Sequence, residues 1–553
     1  MSFLPSPYNH GYEIAPEYTK SVAYFSMEFA IDQALKTYSG GLGFLAGSHM
    51  RSAYDLKQNL VGIGMLWSFG YYDQVRDENR EMVAAHRRKE YHFLEDHELK
   101  FQIRVNGAYV WVKALYLRPT VFGCAPMFFL TTDIEENDYL SRTITHSLYD
   151  ADKLTRVSQS IVLGAGGAAL LEKLGVDPEV WHLNEAHPLP AAFYEAAKHG
   201  LEETKKKFVF TTHTPEEAGN EKSSLNLLRQ FEYFSGCNEQ LLSEVTDLGN
   251  DEFNHSLAAL RVSRVSNGVS KLHGEVARDM WKRHSGVCPI THITNAQNKR
   301  YWADKELDVA VKGGDSKRAQ VRKRQMKEKL VTEVANQTGR MFDPDVLTIV
   351  WARRFAGYKR PSLITRDWNK FESLLENSTY PVQIIWAGKP YPKDFAAIDE
   401  FNQLVKMSKR FANTAVLVGY ELALSKLLKC GADIWLNNPV VTREASGTSG
   451  MTAAMNGAVN LSTDDGWVCE FAKNGENSFI IPAAPEGVSD QDRDARDCEG
   501  FYKIMYDQVL PMYYNDSDAW QKVVENSMRD VVPFFDSDRM ASEYYTKIYS
   551  SGL

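Results

Sequence analysis

The feature that most constrains this chain is a rhythm. Short apolar, β-rich runs recur at 21–29 (SVAYFSMEF), 208–213 (FVFTTH), 347–352 (LTIVWA), 382–388 (VQIIWAG), 414–419 (TAVLVG) and 432–437 (ADIWLN). Each is followed by a Gly, Pro or polar turn and then by a stretch with helical periodicity. Strands that are apolar throughout must be covered on both faces, and strand–helix alternation does this with parallel sheets flanked by helices. The chain therefore reads as α/β. In such sheets ligands collect outside the carboxyl ends of the strands, and functional residues are sought there.

At 553 residues the chain exceeds one core, so two or three domains are expected. The clearest break lies near 303–340, where a Gly-Gly pair precedes a highly charged helical pattern. Seven basic residues fall between Lys317 and Lys329. The apolar spacing of Val321, Met326, Leu330 and Val331 makes this a helix with a solvated face rather than a nucleic-acid arm. The net charge of −9 agrees, because phosphate backbones demand a basic footprint. The six cysteines include no CxxC pair and read as reduced, packed thiols of a cytoplasmic protein. No metal-ligand spacing is present. The N-terminus has neither a basic n-region nor an apolar h-region, so no signal peptide is expected. The longest uncharged apolar run, 161–171, is too short to cross a bilayer and reads as a buried helix packed through its small residues. No nucleic acid or membrane partner is expected.

Four segments combine small residues, cations and polar groups as an anionic-sugar site requires. In YSGGLGFLAG, Gly40, Gly41 and Gly43 precede a helical pattern, where free N–H groups can face an anion. In WARRFAGYKRP, Arg353, Arg354, Lys359 and Arg360 follow a strand; an Arg–Lys pair there can hold a phosphate, one by its planar fork and one as a point charge. In NNPVVTREASGTSGM, Glu444 enters just before a turn of Gly447, Thr448, Ser449 and Gly450 that feeds a second helix. His187 and His213 each follow an apolar strand, and either residue type there serves as a core group or a functional one.

Taken with YFSMEF, HLNEAH, FTTHTPEEAG, AGKPYPKD, WLNNP and DDGW, these strings resemble the glycogen/maltodextrin (α-glucan) phosphorylase family, its short bacterial and archaeal branch especially, over nearly the whole chain from about Ser21. The resemblance implies a GT-B fold: two Rossmann-like domains facing a cleft, here 1–310 and 311–525, with a C-terminal helix, 526–553, crossing back to the first. It implies retaining transfer of glucosyl units between an α-1,4-glucan or maltooligosaccharide and phosphate or glucose 1-phosphate. Gly40, Gly41 and Gly43 would border the donor phosphate. Arg354 and Lys359 would bind the transferable phosphate, and Glu444 the sugar hydroxyls. His187 would line the sugar subsite. Arg353, Thr448, Ser449, Gly450 and position 452 would surround the cofactor's phosphate. Family members are often homodimers.

The chain departs from the family at the cofactor. The residue after Met451 is Thr452, where the family has the lysine that holds pyridoxal phosphate. A Schiff base needs a primary amine, so covalent pyridoxal phosphate is not expected; non-covalent pyridoxal phosphate, inorganic phosphate or a nucleotide-sugar remain as occupants. TNAQNKRYW and NEAH also differ from the family's usual TNG and NEGH wording. Two further readings stand beside a phosphorylase. One is a nucleotide-sugar-dependent glucosyltransferase, since Glu444 and Thr452 have the spacing of the Glu-x7-Glu element of glycogen synthases. The other is a degenerate glucan-binding protein.

Overall fold

A computed structural model describes residues 8–550, apart from 248, 250 and 486. Residues 1–7 of the segment read for a leader, and Ser551 of the C-terminal tail, lie outside the described residues. The chain divides into two compact units: residues 1–72, 86–295 and 537–553, and residues 73–85 with 296–536. The divisions thus fall at 295/296 and 536/537, where the sequence reading placed them at 310/311 and 525/526, and residues 73–85 group with the second unit.

The first unit is built on a nine-stranded sheet. Its strands run Ile290–His292, Val265–Gly268, Phe208–Thr211, Val180–Asn184, Val22–Phe25, Leu60–Met65, Met127–Thr131, Ala108–Leu117 and Glu95–Val105. The first seven are mutually parallel, and the last two form an antiparallel extension. The order reverses beside Val22–Phe25: the chain builds outward on one side to Met127–Thr131, then returns with Val180–Asn184 on the other.

The apolar run at 161–171 lies within one continuous helix, Lys153–Lys173, interrupted only by a π turn at Val162–Gly166. At 21 residues the whole helix meets the length and hydropathy of a membrane span, which corrects the estimate made from the run alone. The apolar window is 78% buried inside the protein, so its hydrophobicity serves the core. The final segment, from Ser537, packs in this unit. Ser537 Oγ lies 2.6 Å from Ser52 Oγ, and Tyr549 OH lies 2.7 Å from His182 Nδ1.

The second unit has an entirely parallel six-stranded sheet, ordered Thr414–Leu417, Val382–Ala387, Leu347–Ala352, Ile434–Asn437, Val459–Thr463 and Ser478–Ile481. Every strand residue but Ile480 is buried, as the continuous apolar runs predict. Its order reverses between Leu347–Ala352 and Ile434–Asn437. The charged helix is Ser316–Thr338, and it packs Met326, Leu330 and Val334 inward. Val321, expected on the apolar face, is 59% exposed: five residues before Met326, it falls about 140° away around the helix.

One close approach in the first unit tolerates no side chain. A Cβ on Gly47, in the helix Gly41–Asp55, would lie 2.0 Å from the backbone oxygen of Ala30. Backbone cannot rotate away as a side chain can, so Gly47→Ala should cost about 3 kcal/mol of stability, at the upper end of overpacking penalties; denaturant unfolding would show it as a lowered midpoint with an unchanged slope.

Candidate functional site

Both reversals place candidate side chains where such sheets bind ligands. In the second unit the strand Leu347–Ala352 delivers Arg353 directly, and the segment after Ile434–Asn437 delivers Glu444. Arg360 fixes the two segments together. It adopts φ +51°, is buried, and donates to the backbone oxygens of Asn438 and Pro439 at 2.9 and 3.0 Å and to Asp497 at 2.6 Å. Val440 N donates to Tyr358 O at 2.8 Å across the same seam. Arg360, counted among four cations by sequence, is thus a structural anchor and not a free charge.

The anchor brings Lys359 to Glu444. Lys359 Nζ donates to Glu444 Oε2 at 2.5 Å, and Arg353 Nη1 lies 3.8 Å from the same oxygen. The three side chains are 11%, 10% and 5% exposed. Burial pushes the Glu444 carboxyl up, but Lys359, Arg353 and Arg354 outweigh it and hold it below the ordinary value, so Glu444 is ionised at neutral pH. Arg354 itself points to the surface, because its neighbour Arg353 takes the inward position at the strand end. Arg353 Nε and Nη2, together with Ser446 Oγ, are buried with no hydrogen-bond partner. Buried donors are almost always satisfied, and a guanidinium with two open nitrogens is fitted to an anion.

Gly447 opens the helix Thr448–Ala454 at φ +87°. A Cβ on Gly450 would lie 2.5 Å from Asn460 Oδ1 and 3.0 Å from the Trp467 ring, so that glycine is required by packing. Thr452 is fully buried, and its hydroxyl donates to Ser449 O at 3.0 Å. These residues test the family's cofactor in two parts. The open guanidinium of Arg353, near the turn that carries Thr448 and Ser449, fits a phosphate. Thr452 offers no amine, so the residues do not fit a Schiff base there.

Asp465 was missed as an individual residue, although the DDGW string contains it. It is fully buried and accepts from Glu444 N and Gly466 N, each at 2.9 Å, while Trp467 N donates to Ser446 O at 2.9 Å. This clasp holds the main chain of Glu444 from behind. Burial pushes the Asp465 carboxyl up to about 7, the Glu444 charge adding to the rise and the backbone donors opposing it.

In the first unit His187 follows the strand Val180–Asn184 and opens onto a cavity of about 330 Å3, lined also by Tyr149, Arg156, Gln159, Ser160 and Glu221. His187 Nδ1 is buried without a hydrogen-bond partner. Glu185 sits at the strand end with φ +69°, uncommon for a side chain of this kind. Its carboxylate accepts from His213 N at 2.8 Å and Thr214 Oγ1 at 3.3 Å, so it clasps the two histidine segments together. His213 is a satisfied core histidine: Nε2 bonds Asn184 Oδ1 at 2.7 Å, and burial pushes its pKa down to about 3. The N–H of Gly40 is given to Glu28 Oε2 at 3.1 Å, which also accepts from Ser39 N at 2.6 Å. A protein carboxylate therefore occupies the first donors of the glycine loop, leaving Gly41 and Gly43 at the helix start. Gly40, Gly41, Gly43 and His187 belong to the first unit, and Arg353, Arg354, Lys359, Glu444 and Thr448–Thr452 to the second.

Residues 305–505 match the family model described as carbohydrate phosphorylase. The chain is 32% identical to a maltodextrin phosphorylase of Thermococcus litoralis, over 97% of this chain and 71% of that protein. It is 32% identical to a glycogen phosphorylase of Aquifex aeolicus, over 97% and 87% respectively. This chain belongs to the carbohydrate phosphorylase family. A relative in Methanocaldococcus jannaschii, described as uncharacterized, is 47% identical over 96% of this chain and its own full length. Within the phosphorylase family the match reaches beyond the second unit to nearly the whole chain. Among the described residues no cluster of His, Cys, Asp or Glu could hold a metal ion.

The raised pKa of Asp465 has a signed consequence. The folded state holds a proton that the unfolded chain releases above about pH 4, so this group's contribution to stability declines between about pH 4 and pH 7 and is constant above. Asp465→Asn should remove that decline: the stability of the variant relative to wild type, measured by urea unfolding, should rise across this window.

Proposed function

We propose that the protein is a retaining hexosyltransferase of the phosphorylase type, transferring glucosyl units between the end of an α-1,4-glucan or maltooligosaccharide and phosphate. The observation that carries this reading is the cluster of Arg353, Lys359 and Glu444 at a sheet reversal, with two guanidinium nitrogens open to an anion. A binding protein for neutral glucan has no need of such a cradle, which counts against the degenerate alternative. The GT-B arrangement implied by the resemblance belongs to this same proposal.

In this reading Lys359 holds the transferable phosphate by a charge-assisted hydrogen bond, and Arg354, exposed at the strand end, reaches it from the solvent side. Glu444, kept ionised, accepts hydrogen bonds from the sugar hydroxyls. His187 lines the sugar site, where the cavity of about 330 Å3 has room for a hexose ring. The fixed charges stabilise the oxocarbenium-like sugar and the departing phosphate without reorganising as charge develops. Thr448, Ser449 and Arg353 would hold a second anion, either inorganic phosphate or the 5′-phosphate of pyridoxal phosphate bound without a covalent link. When bound, that group supplies a phosphate that assists the protonation of the substrate phosphate.

The alternative of a nucleotide-sugar donor is favoured by one observation: Thr452 is buried where the family places its lysine, so a distal donor phosphate is not excluded by a cofactor anchored there. Elongation of maltooligosaccharides separates the two. The phosphorylase reading expects longer chains from glucose 1-phosphate, with or without added pyridoxal phosphate; elongation from ADP-, UDP- or GDP-glucose alone would replace it with the transferase. Lys359→Ala should lower phosphate-dependent turnover by about 100-fold or more, the scale of losing one preorganised charge donor, while leaving glucan binding intact. Borohydride reduction in the presence of pyridoxal phosphate should leave Thr452 and its tryptic peptide unmodified by mass spectrometry, and Thr452→Lys should gain a pyridoxyl group there.

A further inference from the structure

The second unit holds a cavity of about 320 Å3 on the edge of its sheet away from Arg353 and Glu444. Three of its lining residues precede strands: Asp345 before Leu347–Ala352, Asp433 before Ile434–Asn437 and Gly457 before Val459–Thr463. It is thus at the amino-terminal edge, where a sheet of this kind does not hold its principal ligand. The volume lies within the range of small-molecule sites.

Its charges do not balance. Lys327 Nζ pairs with Asp433 at 2.5 Å and also donates to Val346 O and Tyr513 OH. Arg324 pairs with Asp345 at 2.9 Å. Each lining carboxylate is thereby taken. Lys323 remains, donating only to the neutral backbone oxygens of Cys430 and Asn456, both at 2.9 Å. An ammonium has three protons, so one is left over, and among the described residues no carboxylate lies within ion-pair distance of it. The carbonyls come from the ends of two helices, whose partial negative charge accounts for the lysine's position but does not neutralise it. The same cavity has aromatic walls: Tyr513 and Trp520 meet edge to face at 5.3 Å, and both line it together with Lys323.

We propose that this cavity is a second ligand site, taking a small organic anion with an aromatic body, whose negative group is held by Lys323 and whose ring lies against Tyr513 and Trp520. An uncompensated cation beside apolar walls is complementary to that chemistry and to neither a neutral sugar nor a cation. The inference does not rest on the transferase reading, since no residue of this cavity belongs to the Arg353–Lys359–Glu444 cluster. Burial pushes the Lys323 pKa down to about 8, with Lys327 adding to the fall and Asp433, Cys430 and Asp304 opposing it; Arg324, Asp345 and Tyr513 complete the titratable lining. Affinity should therefore fall as pH rises from 7 to 9, where an aryl phosphate is already fully ionised.

Calorimetric titration with phenyl phosphate tests this, using Lys359→Ala protein as the background so that the other phosphate site is disabled. Saturable binding is expected, with benzyl alcohol failing to bind. Adding Lys323→Met should weaken it at least about tenfold, as loss of a charge-assisted hydrogen bond does. Gln320→Glu, a change at an exposed lining residue that leaves the lysine's hydrogen bonds intact, should also weaken it. Absence of binding in the Lys359→Ala background, equal binding of benzyl alcohol, or indifference to both substitutions would overturn the proposal. Failure of glucosyl transfer would leave these measurements unaffected.

Discussion

Both candidate clusters described above, around His187 and around Glu444, depend on one constraint of parallel sheets. Two neighbouring strands whose following connections run in opposite directions leave their carboxyl ends uncovered, because no single crossover can close over both. Each unit contains such a reversal, beside Val22–Phe25 in the first and beside Leu347–Ala352 in the second. The chain uses both. Glu185 and His187 emerge at one, Arg353 and Glu444 at the other.

At the second reversal the local physics is a contest between burial and charge. A carboxylate as enclosed as Glu444 would ordinarily gain a proton. Lys359, Arg353 and Arg354 hold it ionised, and Arg353 keeps donors that nothing among the described residues satisfies. Such a group costs stability and is retained where a ligand completes it. Behind it, Asp465 supports the same loop through backbone N–H groups and pays less, because it is held close to neutrality. Two neighbouring buried carboxyls are thus driven apart in proton affinity: cations overcome burial at Glu444, whereas at Asp465 burial, with the Glu444 charge adding to it, prevails over the backbone donors.

The threonine at position 452 is local in its chemistry. The surrounding turn still positions Thr448 and Ser449, Gly450 is still demanded by Asn460 and Trp467, and the threonine hydroxyl folds back onto its own helix. The turn is therefore shaped independently of any amine at position 452, which is compatible with the anion-dependent sugar transfer proposed above.

Much of this was legible in the residues themselves. Continuous apolar runs declared buried parallel strands, since a strand covered on both faces needs no polar alternation. Gly-rich turns and clustered cations at strand ends could be located in the sequence, and the structure places the turn of Gly447–Gly450 and the cations Arg353 and Lys359 at such ends. Tertiary structure decided the rest, because it depends on which distant groups share a buried space. Adjacent cations in WARRFAGYKRP look equivalent in sequence, yet packing sends Arg353 inward and Arg354 outward and spends Arg360 on Asn438, Pro439 and Asp497. The glycine loop looks open until Glu28 fills its first donors. The grouping of 73–85 with the second unit, the role of Asp465 and the unpaired charge of Lys323 arise only when segments far apart along the chain desolvate one another, and linear spacing carries no record of that.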